Sequence, residues 1–477
     1  MALSECNGDL LRALDHIGNA SNLTSFAMEE VTSYFCELDN RVNYVTTGTD
    51  TTFLLFSAYL VFVMQAGFCM YCAGSVKDSA QNTLNIIVMN VVDAAVSAIA
   101  YYLFGFALAY GEPSNGFIGK GNFAHHDFYA TGQDGYAVNP FANHGIWIYE
   151  WASAAVVAGI ASGSIAGRSQ VTAYVACSAF LTGFVYPVIS HWAWATYGWL
   201  NPYRTPQPFL KVGMADFGGS GAIHMTGGIA GFWGAWIEGP RRGRGEPRDV
   251  PQPMNGHSTA FVVLGTLLLW LGWYGFNPGS DFDIVPATDF PINVIVERAA
   301  VTTTLAGAAG GLTMLFVRRL NTREWEVEDM CSGVIGGLVA VSAGCGVIES
   351  WAAVLLGFLG AWVLIGMKMV AMAIRLDDPV ESSQRHFGCG LLGLLFVAFF
   401  AKKEYAVHLY GDNFYGIVYG GSGRVLAAQA IGALCTVAWT SVTMAPFFFV
   451  LHQLGLLRMS AEEFMGRRLP RPLIFDN

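Results

Sequence analysis

Two stretches decide the fold of this chain: Asp216-Phe217-Gly218-Gly219-Ser220-Gly221-Ala222-Ile223-His224 and Asp378-Pro379-Val380-Glu381-Ser382-Ser383-Gln384-Arg385-His386. In each, a histidine follows an aspartate by eight residues. Small residues come after both histidines, Gly227 and Gly228 in one stretch and Gly388 and Gly390 in the other. Each aspartate stands where it can cap a helix by accepting orphan N–H bonds. Pro379, directly after Asp378, suits a first helical position. One such match is weak. Two at corresponding places in one chain point to an internal repeat.

The surroundings of these stretches are those of a membrane body. Of 477 residues, 53% are hydrophobic and only 13% charged, against roughly 25% charged in soluble domains. Mean hydropathy is +0.43. Length alone suggests about three soluble domains, but too few polar residues are present to cover them. A net charge of −10 and the lack of a basic stripe exclude a nucleic-acid binder. The first 50 residues are polar and acidic, so no cleavable signal peptide is expected and the first apolar span directs insertion.

We read eleven spans: 52–75, 85–111, 146–167, 172–197, 215–238, 257–277, 292–317, 328–348, 350–374, 379–401 and 425–453. Each can cross a ~30 Å hydrocarbon core as a helix, and no run shows the alternation of a barrel strand. The expected fold is an all-α polytopic membrane protein with eleven transmembrane helices, an inverted five-helix repeat plus a final helix. Three units follow: an extracellular N-terminal tail over 1–50, a membrane domain over 51–455 and a short cytoplasmic C-terminal tail over 456–477. The basic residues give the orientation. Arg241, Arg242, Arg244 and Arg248 follow span 5, Arg318, Arg319 and Arg323 follow span 7, and Arg458, Arg467, Arg468 and Arg471 occupy the tail. With these inside, the N-terminus lies outside; Lys402, Lys403 and Arg424 run against the trend. Sequons at Asn19 and Asn22 agree with an outer N-terminus, where Cys6 and Cys36 either pair or stay free. Glycines four apart, such as Gly159 and Gly163 or Gly333 and Gly337, indicate close helix packing.

This topology gives the two stretches their meaning. Spans 5 and 10 run in opposite directions. Eight helical residues put each histidine ~12 Å below its cap, near the midplane from either face. Sites at the midplane of oppositely oriented halves are a transporter arrangement. A charge at the bilayer centre is expensive, whereas a neutral imidazole costs much less and keeps one donor and one acceptor nitrogen. Two facing imidazoles suit a small solute that donates and accepts hydrogen bonds. They suit a hard metal ion poorly, since no carboxylate oxygens surround them. A histidine that merely satisfies a buried carbonyl is the competing reading, and the matched pair weighs against it.

At these residues the chain resembles the ammonium transporter, methylammonium permease and Rh family. The likeness covers about residues 50–465 and is closest to the plant-type branch. It rests on the Asp216–Gly231 run, on Gly272-Trp273-Tyr274-Gly275-Phe276-Asn277-Pro278-Gly279-Ser280, on Phe184–Trp192 and on His386-Phe387-Gly388-Cys389-Gly390. The resemblance implies transport of ammonium or ammonia, with methylammonium as a further substrate, by a plasma-membrane homotrimer with one pore per subunit and no cofactor. It assigns His224 and His386 to a twin-histidine pore, Trp194 and Ser280 to an outer recruitment site, Asp216 to that site's support and Phe276 to a gate. Trp194 alone also fits an interfacial aromatic belt with Trp192 and Trp199.

The chain departs from the family pattern at several places. Ser153 stands where a gate phenylalanine is usual, Glu150 where glutamine is usual, and Gly167 where the glutamate of an Ala-Glu-Arg motif is usual. The expectations are a wider gate at Phe276, an added ionisable group at the entrance and weaker inner packing. Arg385 replaces an apolar residue, and Glu381, four residues earlier, is placed to pair with it. Leu457–Glu463 resembles the start of the family's regulatory tail, but the 14 residues after it lack the usual glycine-methionine-aspartate segment with its threonine, so the resemblance leaves tail-mediated gating open.

An ammonium sensor on the same fold, with weak or no conduction, is the second functional reading. No HExxH, GxSxG or P-loop supports an enzyme, and no Asn-Pro-Ala box or TVGYG filter supports a water or potassium channel. Neither Cys69-Met70-Tyr71-Cys72 nor His125-His126-Asp127 has the further ligands of a metal site.

Overall fold

A computed structural model of the protein describes residues 14, 25–76, 80–112, 114–129, 139, 141–241, 256–285 and 292–460. Among them there are helices and two isolated bridges, and no strand. The helices are α1 (Ser25–Ser75), α2 (Ala80–Ala100, prolonged by a π turn and Phe106–Tyr110), α3 (His144–Ile165), α4 (Val171–Phe180), α5 (Tyr186–Trp194), α6 (Thr226–Glu238), α7 (Thr259–Gly279), α8 (Ile292–Thr322), α9 (Val327–Val341), α10 (Ser350–Ala373), α11 (Gly390–Phe400), α12 (Lys403–Tyr410) and α13 (Gly423–Gln453).

All eleven expected spans fall on helix, but eight helices are long and apolar enough to cross a membrane among the described residues, or nine if the pair bent by 105° at Phe400 counts as one span. The shortfall has a local cause. The stretch opening span 5 stays non-helical until Ser220, and span 8 is helical only over the 15 residues of α9 before a run of turns. At the other extreme, α1 is continuous for 51 residues, so the boundary expected at residue 50 falls inside one helix.

Backbones approach closely at glycines, Gly333 of the four-residue repeats among them. α1 lies along α7, where a Cβ at Gly67 would come within 2.8 Å of Leu269. α3 meets α6, where one at Gly227 would come within 2.8 Å of Ile160. α8 meets α9, where one at Gly333 would come within 2.5 Å of the Gly310 carbonyl. In lipid, such van der Waals contact replaces the hydrophobic drive for helix association.

The end of the bundle where α3 and α6 stop carries a buried ionic cluster. Arg168 lies 3.4 Å from Glu238 and 3.9 Å from Asp377, and Arg241 pairs with Asp377 at 2.9 Å. Burial alone raises Asp377, but the Arg241 hydrogen bonds and charge hold it down at about 2. Ser169 bridges to Arg458, whose guanidinium donates to the Glu238 and Pro240 carbonyls. The expected weakening at Gly167 is therefore not seen: Gly167 takes a left-handed φ of +80°, and Glu238 supplies the buried carboxylate for Arg168. Cys36 is disulfide-bonded. Cys6, both sequons, Arg242, Arg244, Arg248, Arg467, Arg468 and Arg471 lie outside the described residues. Cys69 and Cys72 are buried free thiols. His126 pairs with Asp127 at 2.9 Å, and no group of three metal-capable side chains forms among the described residues.

Candidate functional site

The two stretches build the same backbone device. Gly219 has a φ of +77° and Glu381 a φ of +55°, each three residues after its aspartate. Oδ2 of Asp216 accepts the N–H groups of Gly221 at 3.0 Å and Ala222 at 2.7 Å. Oδ2 of Asp378 accepts the N–H of Ser383 at 2.7 Å and the hydroxyls of Ser383 and Ser164 at 2.7 and 2.9 Å. Both aspartates cap as expected. Each then leads into a π-helical turn, Ser220–Met225 or Gln384–Cys389, that contains the histidine. Such turns cluster at functional positions because they re-aim a side chain inside a helix. Pro379 sits in a turn and not at a first helical position, since helix begins only at Ser382. The helical path from cap to histidine is correspondingly shorter than the sequence reading assumed.

The two turns meet. His224 and His386 are buried, with Nδ1 atoms 3.3 Å apart and ring centroids 5.2 Å apart. Glycine makes the approach possible: a Cβ on Gly228 would come within 2.5 Å of the Phe387 nitrogen, and one on Gly390 within 2.6 Å of the Ser220 carbonyl. Apolar rings surround the pair. His224 stacks on Trp273 at 5.3 Å and faces Phe276 at 5.7 Å, while Phe68 lies 6.3 Å from His386. Nε2 of His224 has no hydrogen-bond partner among the described residues.

On the far side of Phe276 opens a cavity of about 370 Å³. Its lining includes Trp194, Ser280, Asp216, Phe276, Ser153 and Glu150, so all six of these expected residues share one vestibule. The indole N–H of Trp194 donates to the Asp216 carbonyl at 2.9 Å, which fixes the ring. The Ser280 hydroxyl donates to the Phe276 carbonyl at 2.8 Å, leaving its lone pairs as acceptors. The Ser153 hydroxyl is tied to the Tyr149 carbonyl at 3.0 Å, and Phe276 has ring contacts only with His224 and Trp273 among the described residues. The stacking partner that Ser153 was expected to remove is thus missing. Glu150 is buried and accepts from Tyr186 at 3.5 Å.

Two lining residues escaped the sequence reading. Tyr149 donates to the Phe276 carbonyl at 2.5 Å and lies 3.2 Å from the Ser280 hydroxyl. No spacing signal marked it. Asp281, next to Ser280, had a visible signal as a carboxylate at the mouth of a span. Burial, and then the Asp283 charge, push it up to about 7. Conversely, Arg385 does not pair with Glu381, which binds Lys368 at 2.8 Å instead.

Comparison with known sequences and structures gives a consistent picture. A model of the Ammonium Transporter Family matches residues 52–468. The chain is 49% identical to "Ammonium transporter 1 member 3" of Solanum lycopersicum, over 88% of this chain and 90% of that protein. It is 51% identical to "Ammonium transporter 1 member 1" of Oryza sativa subsp. japonica, over 91% and 85%. A solved structure named "Sensor Amt Protein" superposes with a TM-score of 0.76 at 27% identity, over 88% of this chain and 97% of that one. The Mep2 crystal structure from Saccharomyces cerevisiae shares the fold, with a TM-score of 0.74 at 24% identity, over 87% and 90%.

Proposed function

The chain belongs to the ammonium transporter family and transports ammonium, and from that premise we propose how its residues do so. Ammonium leaves water at the vestibule. The fixed indole face of Trp194 attracts a cation, and the Ser280 hydroxyl accepts a hydrogen bond that K⁺ cannot donate. Asp216 adds negative charge there. Beyond Phe276 the substrate sheds a proton, and ammonia moves along His224 and His386, whose imidazoles offer both a donor and an acceptor in an otherwise dry passage. The family is one of transporters rather than enzymes.

The single observation that carries this reading is the 3.3 Å approach of two imidazoles directly behind the ring that closes the vestibule. The wider assignment goes with it. It comprises eleven spans as an inverted five-helix repeat plus a final helix, with tails over 1–50 and 456–477 and a membrane domain over 51–455. It also includes a homotrimer in the plasma membrane, with the vestibule and N-terminus outside and the C-terminus in the cytoplasm. Arg241 and Arg458, gathered at the opposite end from the vestibule, fit that orientation.

Uptake of labelled methylammonium, in cells lacking their own ammonium uptake, tests the mechanism. Wild-type protein is expected to take it up and His386→Ala to lose it while still reaching the surface. Normal uptake by His386→Ala sinks the paired-imidazole reading. The second reading, a sensor with little conduction, is favoured by the missing stacking partner of Phe276 and by the similarity to the structure named a sensor. Surface-expressed wild-type protein without uptake or current would decide for it.

A further inference from the structure

The first helix is longer than a membrane requires. Near the middle of α1, Oδ1 of Asp50 accepts the N–H groups of Ile284 and Val285 at 2.8 and 2.9 Å. That loop directly follows Ser280 and Phe282, which line the vestibule, so Asp50 stands at the level of its mouth. From there to Ser75 the helix is already long enough to cross a ~30 Å core. The part before it, Ser25–Thr49, runs on for ~37 Å beyond the mouth and stands in water.

A helix alone in water has no use for an apolar stripe, so a stripe there marks a missing partner. Val31, Phe35, Leu38, Val42 and Val45 are all exposed, from 36% at Val31 to 70% at Val45. Their spacing alternates between four and three residues, which is the seam of a coiled coil with Phe35 and Val42 at a and Val31, Leu38 and Val45 at d. Off this seam, the exposed side chains of residues 29–47 are charged, polar or tyrosine. On the polar side Arg41 pairs with Glu37 at 2.7 Å, and Cys36 is buried and disulfide-bonded. One face of the helix is thus covered, and it is not the apolar one. The exposed stripe continues at the same spacing through Thr49, Thr52, Phe56 and Tyr59. Within the membrane lipid can cover it; above Asp50 lipid cannot.

We propose that Val31–Val45 is an interaction surface for the same segment of other copies of this chain, and that three α1 helices form a parallel coiled coil above the vestibules. The inference rests on the homotrimer read above. Copies inserted into one membrane with one orientation run parallel, and in parallel register a heptad seam is complementary to itself, each a or d side chain meeting its own counterpart. β-branched residues at d as well as at a shift the preference from two strands towards three or more.

Single cysteines test this in the full-length protein in cell membranes, treated with a short bismaleimide and run on a denaturing gel. The free cysteines among the described residues are buried or half-buried, and the wild type sets the background. Leu38→Cys and Val42→Cys are expected to give cross-linked dimers, and trimers with a trifunctional maleimide. Glu37→Cys and Tyr44→Cys, on the opposite side of the helix, should stay at background. The double variant Leu38→Asp, Val42→Asp should lower the temperature at which the detergent-solubilised oligomer dissociates, with uptake per surface molecule unchanged. No product at the seam positions, or equal product at all four, overturns the proposal. So do products joined to a different protein, or within one chain, by mass spectrometry; product that stops at dimers overturns the three-helix arrangement. Wild-type protein that runs as a monomer in mild detergent overturns the homotrimer as well, whereas an oligomer without seam cross-links overturns this inference alone. Should either seam variant fail to reach the surface, Val31→Cys and Val45→Cys decide.

Discussion

The two half-helices that deliver the histidines share a backbone and divide the labour. Each has a left-handed residue three positions after its aspartate and a π turn around its histidine. Their side chains part company. Oδ1 of Asp216 has no partner among the described residues, and the residue lines the vestibule. Asp378 engages both oxygens, Oδ1 with the Val380 N–H at 3.3 Å and Oδ2 with Ser164 and Ser383. The repeated geometry therefore serves the meeting of the rings. In the mechanism we propose, the divergence gives the Asp216 stretch to the substrate and the Asp378 stretch to the scaffold.

The largest effect should come from what the halves share. In the mechanism we propose, His224→Ala and His386→Ala each remove one wall of the same dry passage. Each is expected to lower ammonium flux about a hundredfold, equivalent to about 2.7 kcal/mol in the barrier, with the oligomer unchanged on gel filtration. A normal flux in either variant would mean that the halves do not share one conduit. The next effect should come from what they divide. Asp378→Asn weakens a charge-assisted acceptor of several buried donors, each such bond being worth about 1.5–3 kcal/mol. It should lower the detergent melting temperature more than Asp216→Asn does. Asp216→Asn should instead raise the half-saturating ammonium concentration several-fold. The opposite ranking would show Asp216 to be the scaffold and Asp378 the substrate-side group.

Much of this was legible in the sequence because it depends on spacing. The matched aspartate–histidine offsets predicted the caps and the meeting of the two histidines, and the glycines predicted close helix contact. What could not be read were choices among partners. Glu381 was placed to pair with Arg385, but the fold brings Lys368 closer, and Arg385 finds Tyr71 and Ser332 on other helices. Tyr149 was invisible for the same reason: its hydrogen bond reaches Phe276, 127 residues away. The helix count was overdrawn because apolar composition does not report where backbone unwinds. Asp216–Gly219 is apolar enough to extend a span, yet it remains loop so that Oδ2 can reach the first N–H groups.

A smaller effect is expected at the vestibule floor. Ser153→Phe would supply a ring opposite Phe276, where the only aromatic contacts come from His224 and Trp273 among the described residues. An aromatic pair is worth about 0.5–1.5 kcal/mol. Ammonium uptake or its selectivity over methylammonium should therefore shift by about two- to tenfold. Unchanged uptake and selectivity would mean that position 153 does not face the conducted solute.

The smallest effect tests whether the vestibule's negative charge is tuned. Asp281 is neutral below its raised value of about 7 and anionic above it, with burial as the main cause and Asp283 as the second. A carboxylate there attracts a cation, so ammonium recruitment by the wild type should strengthen as external pH rises through about 7. At ~6 Å in water a unit charge contributes about 0.7 kcal/mol, a roughly threefold change in half-saturating concentration. Asp281→Asn is neutral throughout and should lose that rise while keeping maximal flux. Half-saturating concentrations measured one unit below and one unit above that pH, in both proteins, check the sign. An equal pH response in the two would assign the titration to another group, leaving Asp281 as a lining residue without influence on recruitment. A stronger rise in Asp281→Asn would mean that its carboxylate holds the cation back from Ser280.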